Sequence, residues 1–271
     1  MRQTVERPAS LVGSALLTGE DVQVTLLPAD ADTGIVFRHA RTGVELPATL
    51  DTVTDVPQCT SLAAGGARID FAEHLMAALS ANGITDALVE VDGSEIPLLD
   101  GSATPYQRLL EQAGLAPLTG GVEPIALTEP ITVASGGKVI AALPGKPEFW
   151  YVLDHPHPLI GRQTACFRPG ADDFAGGVAP ARTFTTEEEA RALIAARGLS
   201  GADETMAIVA YADRLSAPEP FPDSFAMHKI IDLLGDLYLL GRPIHATVVA
   251  FRTGHMENRA LARLVRRTTD L

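Results

Sequence analysis

The sequence predicts an α+β protein of two similar domains, each a β-sheet layered against α-helices. Three observations lead there. Short β-branched runs and helix-period segments are mixed along both halves of the chain. A Gly/Pro-rich joint over residues 114–124, containing Gly120-Gly121, separates those halves. The chain has 271 residues, 46% hydrophobic and 20% charged, which is enough for one large core or two ordinary ones. The joint sets the expected domains at 1–120 and 121–271.

In chain order, residues 22–27 combine alternation with β-branched side chains and stop at Pro28, as a strand does. Thr33-Gly34 turns the chain into a second strand at Ile35-Val36-Phe37. Residues 71–82 carry apolar side chains at helical spacing, with Gly83 as the stop. Residues 87–91 read as a buried strand, Asp92-Gly93 as a turn, and residues 105–113 as a second helix. Beyond the joint, residues 131–133, 138–143 and 149–153 read as strands. Residues 187–197 form a helix closed by Gly198, and residues 206–211 are strand-like. Residues 223–240 form a strong amphipathic helix ending at Gly241. Residues 244–251 are β-rich, and residues 258–266 make a basic terminal helix.

A formal net charge of -13 argues against non-specific binding to nucleic acid or to an anionic membrane face. No apolar run reaches the ~18 residues of a membrane helix, and the N-terminus has no apolar signal core. The expected setting is therefore cytoplasmic, with no integral membrane segment. The oligomeric state is not legible. Cys59 and Cys166 lie far apart and form no CxxC, so any metal would rest on histidines and carboxylates.

Three segments carry chemistry. His228 and Asp232 stand four apart on one helix face, and Asp236 extends that face by a turn. Such a pair can grip a zinc ion at about 2.0–2.2 Å, and Lys229 beside it could hold a negative oxygen. A surface His–Asp ion pair is the competing reading. Glu73 and His74 open an otherwise apolar helix, where both are costly unless partnered. The alternative is a Glu that favours the helix dipole beside a satisfied His. His255 follows Gly254 in a turn leading into a helix, where a plain loop histidine is the alternative. Together they supply two possible His ligands, a carboxylate ligand, a spare Glu and a spare His. Three protein ligands and an open water position compose a catalytic zinc site, and the spare pair suits amide hydrolysis. His155 and His157 sit in a rigid Pro-rich turn and could line a pocket, whereas His39 and His245 read as structural or exposed. No HExxH, GxSxG, P-loop or dinucleotide fingerprint stands in the right context.

These motifs resemble the UDP-3-O-acyl-N-acetylglucosamine deacetylases of lipid A biosynthesis. The likeness runs through residues 28–38, Glu73-His74-Leu75-Met76-Ala77-Ala78-Leu79, residues 95–103, Ala181-Arg182-Thr183-Phe184, the His228-Lys229-x-x-Asp232-x-x-x-Asp236 run and Thr253-Gly254-His255. The resemblance implies an active site between two domains, with zinc on His74, His228 and Asp232. It implies Glu73 as general base and His255 as the acid that protonates the leaving amine, with Asp236 orienting or charging it. Thr183 and Lys229 would stabilise the oxyanion or position substrate, and Phe184 would contact substrate. The substrate implied is a small N-acetylated amino sugar or sugar nucleotide. Two departures stand out. Leu17 occupies the place of a family histidine, and residues 200–206 replace a glycine-rich loop that shapes the passage for the acyl chain. They motivate two alternatives: a divergent amino-sugar deacetylase outside lipid A synthesis, and a non-catalytic sugar-nucleotide binding protein.

Overall fold

Alternation along the strand Asp21–Leu27 turns Val22, Val24 and Leu26 inward and leaves Asp21 and Gln23 in solvent. The same period recurs at Glu148–Asp154, which buries Phe149, Tyr151 and Leu153. Each strand therefore has one apolar face to cover, and the chain covers it with helices. The computed structural model describes residues 1–56 and 58–269.

The first sheet has the strand order Ala9–Ser14, Asp21–Leu27, Ala87–Val91, Ile35–His39, Glu45–Pro47, antiparallel except where Ala87–Val91 pairs with Ile35–His39. The second runs Ile131–Ser135, Lys138–Pro144, Ile244–Phe251, Glu148–Asp154, Arg162–Phe167, with Ile125–Ala126 also pairing with Ile244–Phe251. Six helices accompany them among the described residues: α1 (Glu73–Ala81), α2 (Thr104–Ala113), α3 (Phe174–Gly177), α4 (Glu187–Arg197), α5 (Ser224–Tyr238) and α6 (His255–Thr268). The α+β class is as the sequence predicts.

α1 packs on α5 and α2, and α2 reaches Ala9–Ser14. α5 lies on Glu148–Asp154, Arg162–Phe167 and α6, while α6 covers Ile131–Ser135 and Lys138–Pro144. α1, α2, α5 and α6 thus lie between the two sheets. One buried cluster runs from Val24 and Phe37 through Leu75, Leu79, Ile230 and Ile231 to Ile140, Phe149 and Val248. α1 and α5 approach closely at Gly235, where a Cβ would stand 2.2 Å from the carbonyl oxygen of Glu73. A missing side chain on α5 is what lets the start of α1 lie against it. Phe71, at φ 62, makes the left-handed bend by which the chain enters α1.

Several boundaries differ from expectation. The 114–124 joint is not all irregular: Leu115–Leu118 is a strand paired antiparallel with Arg2–Val5, and Pro117 sits on its free edge. The last helix begins at His255 rather than at residue 258. Of residues 206–211 only Ile208–Ala210 is strand, and Met206 closes a 3-10 turn, Glu204–Met206.

Candidate active site

The crossing of α1 over α5 gathers the three candidate ligands. His74, His228 and Asp232 are all buried. Asp232 Oδ1 lies 3.8 Å from His74 Nε2 and 3.6 Å from His228 Nε2. The two imidazoles meet edge-on with centroids 5.0 Å apart. Tetrahedral zinc at ordinary bond lengths separates its ligand atoms by about 3.3 Å, and one ligand atom from each of the three residues lies within 4.8 Å of the others. Burial pushes His74 down to about 4 and His228 down to about 3, so both are neutral near pH 7. Burial works against Asp232 ionising, but Lys229 and the neighbouring histidines outweigh it and hold the carboxyl below its usual range. Two neutral imidazoles and one carboxylate are the donor set that zinc takes. His228 Nδ1 stands 3.2 Å from the Ala181 carbonyl, which fixes the tautomer that leaves Nε2 free as a donor. His74 Nδ1 is buried without a hydrogen-bond partner, so nothing among the described residues fixes its tautomer.

A second group adjoins this one. Glu73 is buried, and its Oε2 accepts the Thr60 N–H at 2.8 Å. Burial lifts its carboxyl to about 7, with His255 opposing the rise. His255 Nδ1 lies 2.8 Å from Asp236 Oδ2. Burial would lower this imidazole, but the Asp236 carboxylate outweighs it and raises it to about 9. Asn258 Nδ2 also donates to Asp236 Oδ2, at 2.9 Å, and the Thr60 hydroxyl donates to Asp236 Oδ1. Near pH 8 the pair therefore stands as an anionic Glu73 and a cationic His255, each within electrostatic reach of the other and of Asp232.

Lys229 and the 181–184 segment close the site. Lys229 Nζ donates to Asp232 Oδ2 at 2.8 Å and lies 5.4 Å from the Phe184 ring centroid. Phe184 packs against Phe225 at 4.7 Å and faces His228 at 6.3 Å and His155 at 6.4 Å. Thr183 Oγ1 stands 3.3 Å from His228 Nε2 and donates to the Gly101 carbonyl at 3.0 Å. Lys229, Thr183 and Phe184 thus gather with the His74, His228 and Asp232 group, and His155 joins them at its edge. His39 is buried beside Thr42, and His245 is exposed.

Sequence reasoning missed Thr60, Asn258 and Arg259. Thr60 carries no spacing signal. Asn258 and Arg259 follow His255 by three and four residues on one helix face, which an earlier start for that helix would have exposed. Arg259 is fully buried rather than part of a basic surface; it donates to the Cys59 and Val56 carbonyls and lies 3.9 Å from Asp236 Oδ1.

The two departures touch each other. The Leu17 N–H reaches both Glu95 carboxylate oxygens at 3.1 Å, and the Leu17 carbonyl accepts from the Ser200 hydroxyl at 3.0 Å. The Gly201 N–H donates to the Leu16 carbonyl at 3.1 Å. A Cβ on Gly201 would lie 1.8 Å from the Ala15 carbonyl oxygen. Leu16, Cys59, Phe71, Leu98, Leu199 and Met206 form a small apolar cluster around this contact.

Comparison with known proteins adds an independent line. The family described as LpxC, UDP-3-O-acyl N-acetylglycosamine deacetylase, matches residues 2–267. A UDP-3-O-acyl-N-acetylglucosamine deacetylase of Anaeromyxobacter dehalogenans is 39% identical over 267 residues, covering 97% of this chain and 87% of the relative. The proteins of that name from Myxococcus xanthus and Synechocystis sp. are 36% and 35% identical, covering 97% and 98% of this chain and 86% and 98% of the relatives.

Proposed function

The chain belongs to the UDP-3-O-acyl-N-acetylglucosamine deacetylase family, and from that premise we propose that it is a zinc-dependent deacetylase that removes the N-acetyl group of a UDP-3-O-acyl-N-acetylglucosamine. The observation that carries this reading is the junction of the His74, His228 and Asp232 group with Glu73 and the Asp236–His255 pair in one buried place. His74, His228 and Asp232 would hold the ion, which supplies Lewis acidity and brings a water toward ionisation near neutral pH. The protein's own groups then divide the proton work. Glu73, as carboxylate, takes a proton from the attacking water. Lys229 offers an N–H toward the carbonyl oxygen as it gains charge, and Thr183, whose hydroxyl donates to the Gly101 carbonyl, helps to position substrate beside His228. His255, protonated and held by Asp236, delivers its proton to the amine nitrogen as the C–N bond breaks. Phe184 provides an apolar wall at the entrance. Domains of 1–120 and 121–271, each bringing part of this machinery, belong to the same reading.

Among the described residues no helix is long and apolar enough to cross a membrane. A cytoplasmic setting is part of the proposal, supported by two free cysteines. The test is acetate release from the UDP-3-O-acyl substrate by the zinc-loaded protein. Glu73→Gln should keep the zinc and lose about 10²–10⁴ in kcat; a wild-type protein that releases no acetate ends this reading. A second reading, a paralogue acting on another N-acyl amino sugar, is favoured by one observation: the Leu17 segment and the Ser200–Gly201 turn, both departures from the family pattern, are hydrogen-bonded together. Faster turnover of a simple N-acetyl glucoside than of the acylated nucleotide would select it.

A further inference from the structure

Thr60 touches both halves of the proton-transfer machinery with different atoms. Its backbone N–H donates to Glu73 Oε2 at 2.8 Å. Its hydroxyl donates to Asp236 Oδ1, the oxygen not used by His255. Thr60 is fully buried, so no water competes for either bond. The result is one unbroken chain: Glu73 carboxylate, Thr60 N–H, Thr60 O–H, Asp236 carboxylate, His255 Nδ1. Neighbours keep residue 60 in place. The Ala72 N–H, one residue before Glu73, donates to the Thr60 carbonyl at 3.0 Å. Arg259 clamps the carbonyl of the preceding Cys59 at 3.2 Å. Asp236, by contrast, projects from α5 with His255 and Asn258 on one oxygen and Thr60 on the other.

We propose that Thr60 is a positioning residue that sets the base Glu73 and the acid pair Asp236–His255 in register with each other; this rests on the deacetylase reading above. Glu73 and Asp236 arrive on different helices, α1 and α5. Thr60 belongs to neither, and so ties one reacting carboxylate to the support of the other. Without its hydroxyl, Asp236 Oδ1 loses its close donor, and Arg259 at 3.9 Å is too far to replace it. The Asp236 side chain is then free to turn and His255 turns with it, while the Ala72 and Arg259 contacts still hold residue 60 and its N–H on Glu73, so the acid pair loses register with a base that stays in place. A misplacement of about 1 Å at reacting groups can cost roughly 10²-fold in rate. Substrate binding in the ground state does not use this chain, so the loss should fall on kcat.

The variants are Thr60→Val, which keeps shape and N–H but removes the donor, and Thr60→Ser, which restores it. With one equivalent of zinc bound in each, Thr60→Val should lose about 10- to 100-fold in kcat with KM within about twofold, and Thr60→Ser should recover most of that loss. A second readout needs no turnover. The groups facing His255 are Asp236, Glu73 and Asp232, with Arg259 beyond Asp236. With the hydroxyl gone, Asp236 holds more charge toward His255. The ¹⁵N-histidine titration of His255 should then move up by about half a unit in Thr60→Val and return in Thr60→Ser. Wild-type kcat and an unmoved His255 titration in Thr60→Val overturn the assignment, as does Thr60→Ser failing as badly as the valine. If Thr60→Val does not fold, Thr60→Ala carries the same test. If wild-type protein releases no acetate, the deacetylase reading falls and the register proposal with it; wild-type turnover beside an unaffected Thr60→Val overturns the register proposal alone.

Discussion

At the scale of single residues, the site depends on keeping neighbouring groups in opposite protonation states. His74 and His228 are held neutral by burial, whereas His255, equally buried, is held charged because its Nδ1 meets the Asp236 carboxylate. The consequence for pH has a definite sign. The folded His255 titrates near 9, above its ordinary 6.5. The stability it contributes is therefore fully present below about pH 6.5 and is lost as pH rises through 9. Activity that needs the His255 proton depends on the folded value alone and should fall as pH rises through about 9. Asp236→Asn removes the charge that outweighs burial, so the basic limb of kcat/KM should move down by more than one pH unit, while zinc content stays at one equivalent. A basic limb that stays near pH 9 in Asp236→Asn would show that another group sets it. Glu73 and Asp236 were legible in the sequence because charged residues within apolar helices need partners, whereas His255, read in a turn before a helix, stood out only beside the other candidates. Thr60 was not legible, because nothing in the residues around it repeats at a spacing that singles it out.

At the scale of elements, α1 and α5 are the working parts, and their spacing is set by Gly235. A Cβ there would meet the Glu73 carbonyl oxygen at 2.2 Å and its Cα at 2.9 Å. Backbone atoms cannot swing aside as a side chain can, so α1 itself must move. Gly235→Ala should cost roughly 1–3 kcal/mol by overpacking, despite the better helix propensity of alanine. It should also displace Glu73 and His74 from Asp232. Denaturant unfolding and zinc titration of this variant check both effects; unchanged zinc affinity would mean that the helices part elsewhere. Long helices were the readable elements: residues 223–240 gave away α5, and residues 187–197 coincide with α4. The strands at Ala9–Ser14, Ser61–Ala64 and Arg162–Phe167 were missed. Their side chains alternate weakly, and what makes them strands is the partner across the ladder, which no local window contains.

At the scale of the whole molecule, the three proposed metal ligands span the central layer. His74 comes from α1, among strands of residues 9–91, while His228 and Asp232 come from α5, which packs on strands of residues 148–167. An ion shared by these elements binds the folded arrangement and not the open chain, so it must stabilise the fold as a whole. The size follows from mass action. Free zinc at 100 times its dissociation constant adds about 2.7 kcal/mol. For a chain of this length that corresponds to roughly 5–10 °C in Tm. Stripping the metal with a chelator should therefore lower Tm by that amount, and restoring zinc should return it. His74→Ala leaves two ligands on α5 but none on α1, so zinc binding should weaken and the Tm response should largely vanish. Measured alongside Glu73→Gln, which keeps all three ligands and should keep the full response, the pair separates an ion that joins the two helices from one held by α5 alone. A His74→Ala variant that still gains the full increment from zinc would place the ion elsewhere and leave α1 free of any part in holding it.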